Sequence, residues 1–265
     1  MARQTIVAGN WKMHGNHAEN QRLLKAIDNQ LDGDLQTKVM VFPPFTYLSQ
    51  IADLLSNSSS ILEGKNEGKG KSKIDLGAQT LSEHKSGAFT GEISAAMLVD
   101  LGCSHVLVGH SERRSLYNES SQLVANKFAA ALEAGLTPIL CIGETLSERD
   151  AGRTMDIVFR QIDAVLDTAG IAGLSKGIIA YEPVWAIGTG KTASPEQAQE
   201  VHSEIRSHLD ELDQELANNM QILYGGSVNA TNASELFAMV DIDGGLIGGA
   251  ALKADDFFKI CVAAG

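Results

Sequence analysis

The sequence alternates throughout between short apolar runs rich in β-branched residues and longer stretches with helical periodicity. Each apolar run is bounded by glycine, proline or polar residues and is too short for a helix, as expected of strands buried in a parallel sheet. Successive runs begin about 34 residues apart, the length of one strand plus one crossover helix. The eight predicted strands are Thr5–Gly9, Val39–Phe42, Ile74–Ala78, His105–Gly109, Pro138–Ile142, Ile178–Tyr181, Ile222–Tyr224 and Gly245–Ile247.

Apolar stripes at spacings of three and four residues fill the gaps between strands and predict helices that cover a sheet. One stripe runs over Leu23–Leu31, and another over Ile157–Leu166, where Gln161 interrupts it. A third stripe extends over Val201–Leu216. Before it, Ser194–Gln197 supplies an N-cap, a proline at the first helical position and a capping-box partner, which together predict a helix start.

Eight βα units in 265 residues predict an α/β protein with a (β/α)8 barrel, and an open doubly wound sheet is the alternative. No Pro-, Gly- or Ser-rich linker divides the chain, so residues 1–265 are predicted to form a single domain. The segment Glu63–Lys73 carries four lysines and three glycines and precedes the third strand, which places it on the face opposite a barrel active site. Either an anionic contact patch or a solvated insertion fits this composition.

The charge balance limits the partners of the chain. The net charge of −12 argues against binding to nucleic acid or to an anionic membrane surface, and no apolar run is long enough to span a membrane. Cys103, Cys141 and Cys261 lie in apolar stretches, which predicts buried free thiols in a reducing compartment. Met1 leads almost directly into the first strand, which predicts no signal peptide and a cytoplasmic location.

Catalytic groups of (β/α)8 barrels lie at the carboxyl ends of the strands and in the loops that follow. By this rule the first strand nominates Asn10 and Lys12, the fourth His110 and Glu112, and the sixth Glu182. A carboxylate over the barrel mouth can act as a base when partly desolvated, or can be held in a structural ion pair. The Ser-Glu-Arg-Arg that follows His110 could open a helix, whose N-terminus would favour a neutral imidazole that donates a hydrogen bond.

Glycine pairs follow the seventh and eighth strands, at Gly225–Ser227 and at Gly248 and Gly249. Glycine lets backbone N–H groups approach an anion, and barrels commonly bind phosphate with these two loops. Tight turns are the other explanation for the glycines. The phosphate interpretation predicts a small phosphorylated substrate, for which Lys12 brings positive charge to the barrel mouth.

Nucleotide and metal signatures do not account for these residues. Gly188–Thr192 is similar to the end of a P-loop, but Trp185 occupies the position of the required first glycine. The sequence contains no G-x-G-x-x-G, H-E-x-x-H or C-x-x-C pattern. We therefore predict neither a cofactor nor a metal.

A base, a neutral donor, a cation and a phosphate cradle suit proton transfer next to a carbonyl. Glu182 would remove a carbon-bound proton, and Asn10, Lys12 and His110 would stabilise the oxygens of an enediolate. Such an intermediate needs protection from water, and Pro183–Ala193 fits a lid, although an ordinary βα loop is the alternative. Two other functions stay open: an aldolase with Lys12 as Schiff-base nucleophile, and a catalytically inactive phosphate-binding barrel.

The chain resembles the triosephosphate isomerase family over essentially its whole length. The ordered motifs that carry the resemblance are Gly9–Met13, Gly77–Gln79, Gly87–Glu92, Val108–Arg114, Leu140–Glu144, Ala180–Lys191, Tyr224–Val228 and Gly248–Gly249. The resemblance implies interconversion of dihydroxyacetone phosphate and D-glyceraldehyde 3-phosphate in glycolysis and gluconeogenesis, without a cofactor.

The same resemblance assigns roles to the residues. It implies Glu182 as the base, His110 as the electrophile, Asn10 and Lys12 as substrate-binding residues and Glu112 as a second carboxylate behind the site. The implied phosphate ligands are Gly188, Ser227, Gly248 and Gly249.

The resemblance also implies a homodimer, in which the loop around Gln79–Glu92 docks beside the partner's active site. Thr90 matches the tip of that loop, and Gln79 and His14 belong to segments associated with the dimer contact. The chain departs from the family where His14 and Thr80 replace residues that are often asparagine, so details of the interface are expected to differ.

Overall fold

The structure, a computed structural model, describes residues 3–31, 35–57, 72–186 and 193–265. Eight parallel strands pair in sequence order, and the last pairs with the first to form a closed barrel. The strands are β1 (Ile6–Asn10), β2 (Lys38–Phe42), β3 (Ile74–Ala78), β4 (His105–Val108), β5 (Thr137–Ile142), β6 (Ile178–Tyr181), β7 (Ile222–Tyr224) and β8 (Gly244–Ile247). The predicted (β/α)8 barrel is therefore confirmed, and the open sheet is wrong. That residues 1–265 form one domain stays a prediction.

All eight predicted strands are present, with each boundary shifted by at most one residue. The shift at the end of β4 has a local cause, because Gly109 adopts a left-handed conformation with φ of 72° that ends the strand. Most of Glu63–Lys73 lies outside the described residues, so its interpretation stays open. Within the described part of the chain, no helix is long and apolar enough to cross a membrane.

Helices occupy the connections between the strands. The described residues form the α-helices α1 (His17–Gln30), α2 (Leu48–Ser56), α3 (Ala95–Asp100), α4 (Ser111–Leu116), α5 (Ser121–Glu133), α6 (Leu146–Asp150), α7 (Thr154–Leu174), α8 (Pro195–Leu212), α9 (Gln214–Asn219), α10 (Ala233–Phe237) and α11 (Ala254–Ala263). Short 3-10 helices cover Phe45–Tyr47, Val184–Ala186 and Gly249–Leu252.

Local sequence signals explain where α8 begins and ends. Ser194 and Gln197 form the predicted capping box at its start. The third apolar stripe, however, does not form a single helix as its spacing suggested. Asp213 has an extended backbone, and its side chain accepts the N–H of Leu216, which starts α9. Because the axis breaks there, Leu212 at the end of α8 is 42% exposed instead of buried.

Alternation of side chains along each strand separates two cores. In β6, Ile178 and Ala180 belong to the cluster inside the barrel, whereas Ile179 and Tyr181 pack against the helices. Glu182 lies two residues after Ala180, so its side chain also points into the barrel. The inward residues of β1 end in the same way with Asn10, so the strand period aims both polar side chains at the mouth of the barrel.

The opposite end of the barrel interior carries a charged cluster around His105, the first residue of β4. Its Nε2 lies 3.1 Å from Nζ of Lys38, and its Nδ1 lies 2.7 Å from Oγ of Ser104. Burial, reinforced by the charge of Lys38 and opposed by Asp75, lowers the pKa of His105 to about 4. His105 is therefore neutral in the folded protein near pH 7.

The three cysteines are buried, as predicted. Burial raises the pKa of Cys103 and of Cys261 to about 12, which makes both thiols poor nucleophiles at neutral pH.

Stability is expected to fall on acidification because of His105. The unfolded chain takes up a proton near the ordinary histidine pKa of about 6.5, whereas folded His105 resists protonation until about pH 4. Its contribution is complete above pH 6.5 and is lost towards pH 4, which removes on the order of 1–2 kcal/mol between pH 7 and pH 5. Urea unfolding of His105→Gln should show a shallower pH dependence over this range. His17→Gln, at an exposed position, should keep the slope of the unmodified protein, and equal slopes in all three proteins would contradict the assignment.

Candidate active site

A pocket of about 500 Å³ opens at the carboxyl ends of the strands, where the strand rule placed the candidate residues. The structure brings together residues from β1, the loops after β4, β6 and β7, and the loop after β8. Its lining includes Asn10, Lys12, His110, Glu112, Glu182, Gly225, Gly226, Ser227, Gly248, Gly249, Lys253 and Asp256. Gly188 lies outside the described residues.

Glu182 lies at the floor of this pocket and is 2% exposed. One carboxylate oxygen lies 3.0 Å from Nε2 of His110, and the other accepts the backbone N–H of Ser111 at 2.9 Å. Among the described residues, no lysine or arginine forms an ion pair with this carboxylate. Its ion-pair contact is with His110, which carries a charge only when the imidazole is protonated.

Gly225 makes room for the Glu182 side chain. A methyl group at this position would lie 2.8 Å from Cγ of Glu182 and 3.1 Å from the carbonyl oxygen of Tyr181. The Gly225 N–H also donates to that carbonyl at 2.7 Å. Packing against the Glu182 side chain thus requires a glycine at this position. From the sequence alone, this glycine would be explained by phosphate binding or by a tight turn.

His110 is the N-cap of α4, which confirms that a helix begins directly after it. Its Nδ1 accepts the backbone N–H of Glu112 at 3.2 Å, so the proton of the neutral ring is on Nε2, facing Glu182. Burial lowers the pKa of His110, but the neighbouring Glu182 carboxylate outweighs burial and raises it overall. The carboxylate therefore opposes the neutral imidazole that the sequence analysis expected from the helix N-terminus.

Lys12 is held in an unusual backbone conformation, with φ of 50°. The Lys12 N–H donates to Oδ1 of Asn10 at 3.0 Å, and the Lys12 carbonyl accepts from Nε2 of Gln79 at 2.8 Å. The same Gln79 nitrogen donates to the carbonyl of Phe42 at 2.8 Å. At the far end of the side chain, Nζ of Lys12 pairs with Glu112 at 2.6 Å. These contacts at both ends aim the ammonium group into the pocket.

The glycines after β8 leave open space. A methyl group at Gly249 would meet no atom within 4 Å, and one at Gly248 would make only an ordinary contact, 3.6 Å from Cε of Lys12. Neither glycine is therefore required by packing in the described structure. Both line the pocket, and the 3-10 helix Gly249–Leu252 begins there, so this loop offers backbone N–H groups to a ligand.

Glu144 is a site residue that sequence reasoning did not single out. Its fully buried carboxylate accepts from the Tyr181 hydroxyl at 3.1 and 3.2 Å, from Nε1 of Trp185 at 2.9 Å and from Arg149 at 3.3 Å. It thereby ties the first part of the predicted lid, Pro183–Ala193, to the barrel. The strand-end rule could have found it, because Glu144 comes two residues after β5. The remainder of the predicted lid, residues 187–192, lies outside the described residues.

The residues assigned to a dimer contact lie near the rim. His14 and Thr90 are exposed, whereas Gln79 reaches back to Lys12. Thr80 is buried and accepts a hydrogen bond from Nζ of Lys127 at 3.2 Å, so its departure from the family pattern is accommodated inside the fold.

Metal-ligating side chains do not cluster in the parts of the chain that the structure describes. No group of three or more His, Cys, Asp or Glu side chains there could hold a metal ion.

Comparison with known proteins identifies close relatives. The family model for triosephosphate isomerase matches residues 5–264. The triosephosphate isomerase of Thiobacillus denitrificans is 57% identical over 262 residues, and that of Dechloromonas aromatica 54% over 262 residues, with 99% of both chains covered in each case. The triosephosphate isomerase of Nitrosococcus oceani is 51% identical over 263 residues, covering 99% of this chain and all of the relative.

Removing the charge of Glu182 should lower the pKa of His110. In Glu182→Gln, burial and the charge of Lys12 remain, and both lower the pKa of the imidazole. NMR titration of His110 should show the shift. Glu112→Gln is the matched control, since it removes an equal charge that contributes less to His110, and its effect should be smaller. Equal shifts in the two variants would show that the contact between Glu182 and His110 does not set this pKa.

Proposed function

The chain belongs to the triosephosphate isomerase family, and we propose that it interconverts dihydroxyacetone phosphate and D-glyceraldehyde 3-phosphate through an enediolate. The observation that carries the proposal is the position of Glu182 and His110 in contact with each other in one pocket, which Lys12 also lines. A base, a neutral donor and a cation around one small volume suit transfer of a proton between two carbons next to a carbonyl.

In this mechanism Glu182 is the base. It takes the proton from one substrate carbon and returns it to the neighbouring carbon, while the hydroxyl proton moves between the two substrate oxygens, so that the carbonyl and the hydroxyl exchange places. Burial shields the carboxylate from water, and the N–H of Ser111 orients one oxygen, which leaves the oxygen beside His110 facing the reaction centre.

His110, Asn10 and Lys12 stabilise the enediolate. The Nε2–H of His110 faces Glu182 in the free protein and turns to a substrate oxygen when substrate enters, because Nδ1 is occupied by the N–H of Glu112. Lys12 supplies positive charge for the developing oxyanion and for the phosphate. Glu112 has an indirect role, since its carboxylate holds Nζ of Lys12 at 2.6 Å before substrate enters.

The phosphate binds in the loops after β7 and β8. Ser227, Gly248 and Gly249 line the pocket, and the last two leave room that a methyl group would occupy. Gly188 is proposed as a further ligand from the family resemblance. No cofactor is required, because the proton is carried by a side chain.

A closing lid would retain the enediolate and exclude water. Pro183–Ala193 is proposed to be that lid. The bonds of Glu144 to Tyr181 and Trp185 support this, because they fasten one end of the segment beside Glu182.

The rival functions have less support. A Schiff-base aldolase needs a free amine, but Nζ of Lys12 is engaged in an ion pair with Glu112. Glu182 is buried beside His110 without a lysine or arginine partner among the described residues, and burying a carboxylate in this way costs stability. An inactive phosphate-binding barrel would gain nothing from that cost.

The cellular setting follows from the same proposal. The reaction belongs to glycolysis and gluconeogenesis, and a phosphorylated triose is the small-molecule partner. We expect it to run in the cytoplasm, where reducing conditions keep the three buried cysteines as thiols. The net charge of −12 makes nucleic acid an unsuitable partner. We propose a homodimer as the working form, with Thr90, His14 and Gln79 in the contact region.

The isomerase assay with purified Glu182→Gln tests the chemistry. Loss of the base should lower kcat by about 10²- to 10⁴-fold while the fold stays intact. The unmodified enzyme should also exchange the transferred proton with solvent deuterium. Glu204→Gln on α8 is a matched control that removes an exposed carboxylate, and it should retain full activity. Undiminished turnover in Glu182→Gln would contradict the mechanism.

Sedimentation velocity tests the proposed homodimer. Thr90→Arg places a charged side chain at the exposed tip of the loop that is proposed to dock on the partner. The variant dimer should therefore dissociate at a higher protein concentration than the unmodified dimer. Val240→Arg, at an exposed apolar position elsewhere, should sediment like the unmodified protein. A monomeric unmodified protein at every concentration would contradict the assignment of this surface.

A further inference from the structure

Gln161 is the polar residue in an otherwise apolar stripe of α7. The neighbouring stripe residues Ile157, Val158, Ile162 and Val165 are buried. A polar side chain in such a position needs hydrogen-bond partners, because an unpaired amide facing the core is costly. Its partners therefore indicate why the stripe is interrupted.

Both partners of Gln161 belong to the backbone of one residue. The N–H of Gly143 donates to Oε1 of Gln161 at 2.8 Å, and Nε2 of Gln161 donates to the carbonyl of Gly143 at 3.1 Å. The side-chain amide thus pairs with Gly143 as a neighbouring strand would. Gly143 directly follows β5, at the end of the barrel that carries the pocket.

Gly143 lies directly against the main chain of Glu182. A methyl group on Gly143 would lie 1.8 Å from the Glu182 carbonyl oxygen, which no structure tolerates without a shift. On the other side of this contact, the Glu182 N–H donates to the carbonyl of Ile142 at 2.7 Å. Any displacement of the Gly143 peptide therefore displaces the backbone that carries the Glu182 side chain.

We propose that Gln161 is a positioning residue for Glu182, acting through the Gly143 peptide. It holds the end of β5 against the end of β6 and thereby keeps the Glu182 carboxylate beside Nε2 of His110. The inference rests on the proposed function in one respect, namely that Glu182 is the base.

The two hydrogen bonds between Gln161 and Gly143 also stabilise the start of the proposed lid. Glu144 follows Gly143 and receives hydrogen bonds from Tyr181 and Trp185, while its carbonyl accepts the N–H of Val184 at 3.2 Å. Gln161 therefore anchors Gly143 and Glu144, which contact both Glu182 and the start of Pro183–Ala193.

Packing alone does not account for a glutamine here. Methionine has a similar length and would continue the apolar stripe, so a position selected for packing favours an apolar side chain. What methionine lacks is the pair of hydrogen bonds to Gly143. Substitution by methionine therefore separates the positioning role from a packing role.

Steady-state kinetics of Gln161→Met tests the proposal. A misplacement of the base should lower kcat by about 10- to 100-fold. KM should stay within about twofold, because Gly143 is not among the described residues that line the pocket. Gln161→Glu keeps an acceptor for the Gly143 N–H but loses the donor to its carbonyl, so its loss should be smaller. Gln122→Met on α5 is the matched control, since within the described part of the chain Gln122 bonds to Asn126 and Thr168 on the helical surface, and its kcat should not change.

NMR titration of His110 provides a readout that does not depend on turnover. The Glu182 carboxylate raises the pKa of His110, so a displaced carboxylate in Gln161→Met should lower that pKa, while Gln122→Met leaves it unchanged. Unaltered kcat in Gln161→Met would overturn the proposal. So would a kcat loss accompanied by an unaltered His110 pKa and a matching fall in Tm, since that pattern indicates a general loss of folded protein.

Failure of the proposed function would be visible separately. An unmodified protein without isomerase activity would refute the assignment of Glu182 as the base of this reaction. The His110 titration would still show whether Gln161 positions the carboxylate: a lowered pKa in Gln161→Met supports that part, and an unchanged pKa rejects it.

Discussion

Closure of the sheet, with every second side chain of each strand directed inward, is the constraint on which the rest of the structure depends. Because β1 pairs with β8, the carboxyl ends of all eight strands form one ring. Asn10 and Glu182 continue the inward phases of β1 and β6, so both reach the same opening although they are far apart in the chain. A one-residue change of phase in either strand would turn its polar group towards the surrounding helices.

The pocket is built at a cost in local stability that the surrounding fold compensates. Glu182 is buried without a lysine or arginine partner in the described residues, and Lys12 adopts a positive φ. Hydrogen bonds that involve the backbone provide the compensation: the Ser111 N–H donates to the carboxylate, and the side chains of Asn10 and Gln79 bond to the N–H and the carbonyl of Lys12. The reactive groups are thus oriented by parts of the barrel that do not themselves react.

Much of this arrangement could be predicted, because strands buried on both faces form apolar runs with clear ends. The strand-end rule then nominates Asn10, Lys12, His110 and Glu182 from the sequence alone. Prediction was weaker wherever a polar side chain acts on another element. The apolar stripe on α8 runs on past Asp213, yet the helix stops there because Asp213 caps α9. The place of Glu144 after β5 could nominate it, but its role depends on Tyr181 and Trp185 approaching from the next βα unit.

From the order of amino acids alone one can derive the alternation of strands and helices, the closed (β/α)8 architecture as the favoured fold, and the polar residues that end each strand. These properties follow from local periodicity and chain length, which are written along the sequence. Contacts such as Ser111 with Glu182, or Gln161 with Gly143, arise when elements from separate βα units come together. Hydrogen bonds require distances near 3 Å and a definite direction, and no pattern of residue types specifies these until the barrel has closed.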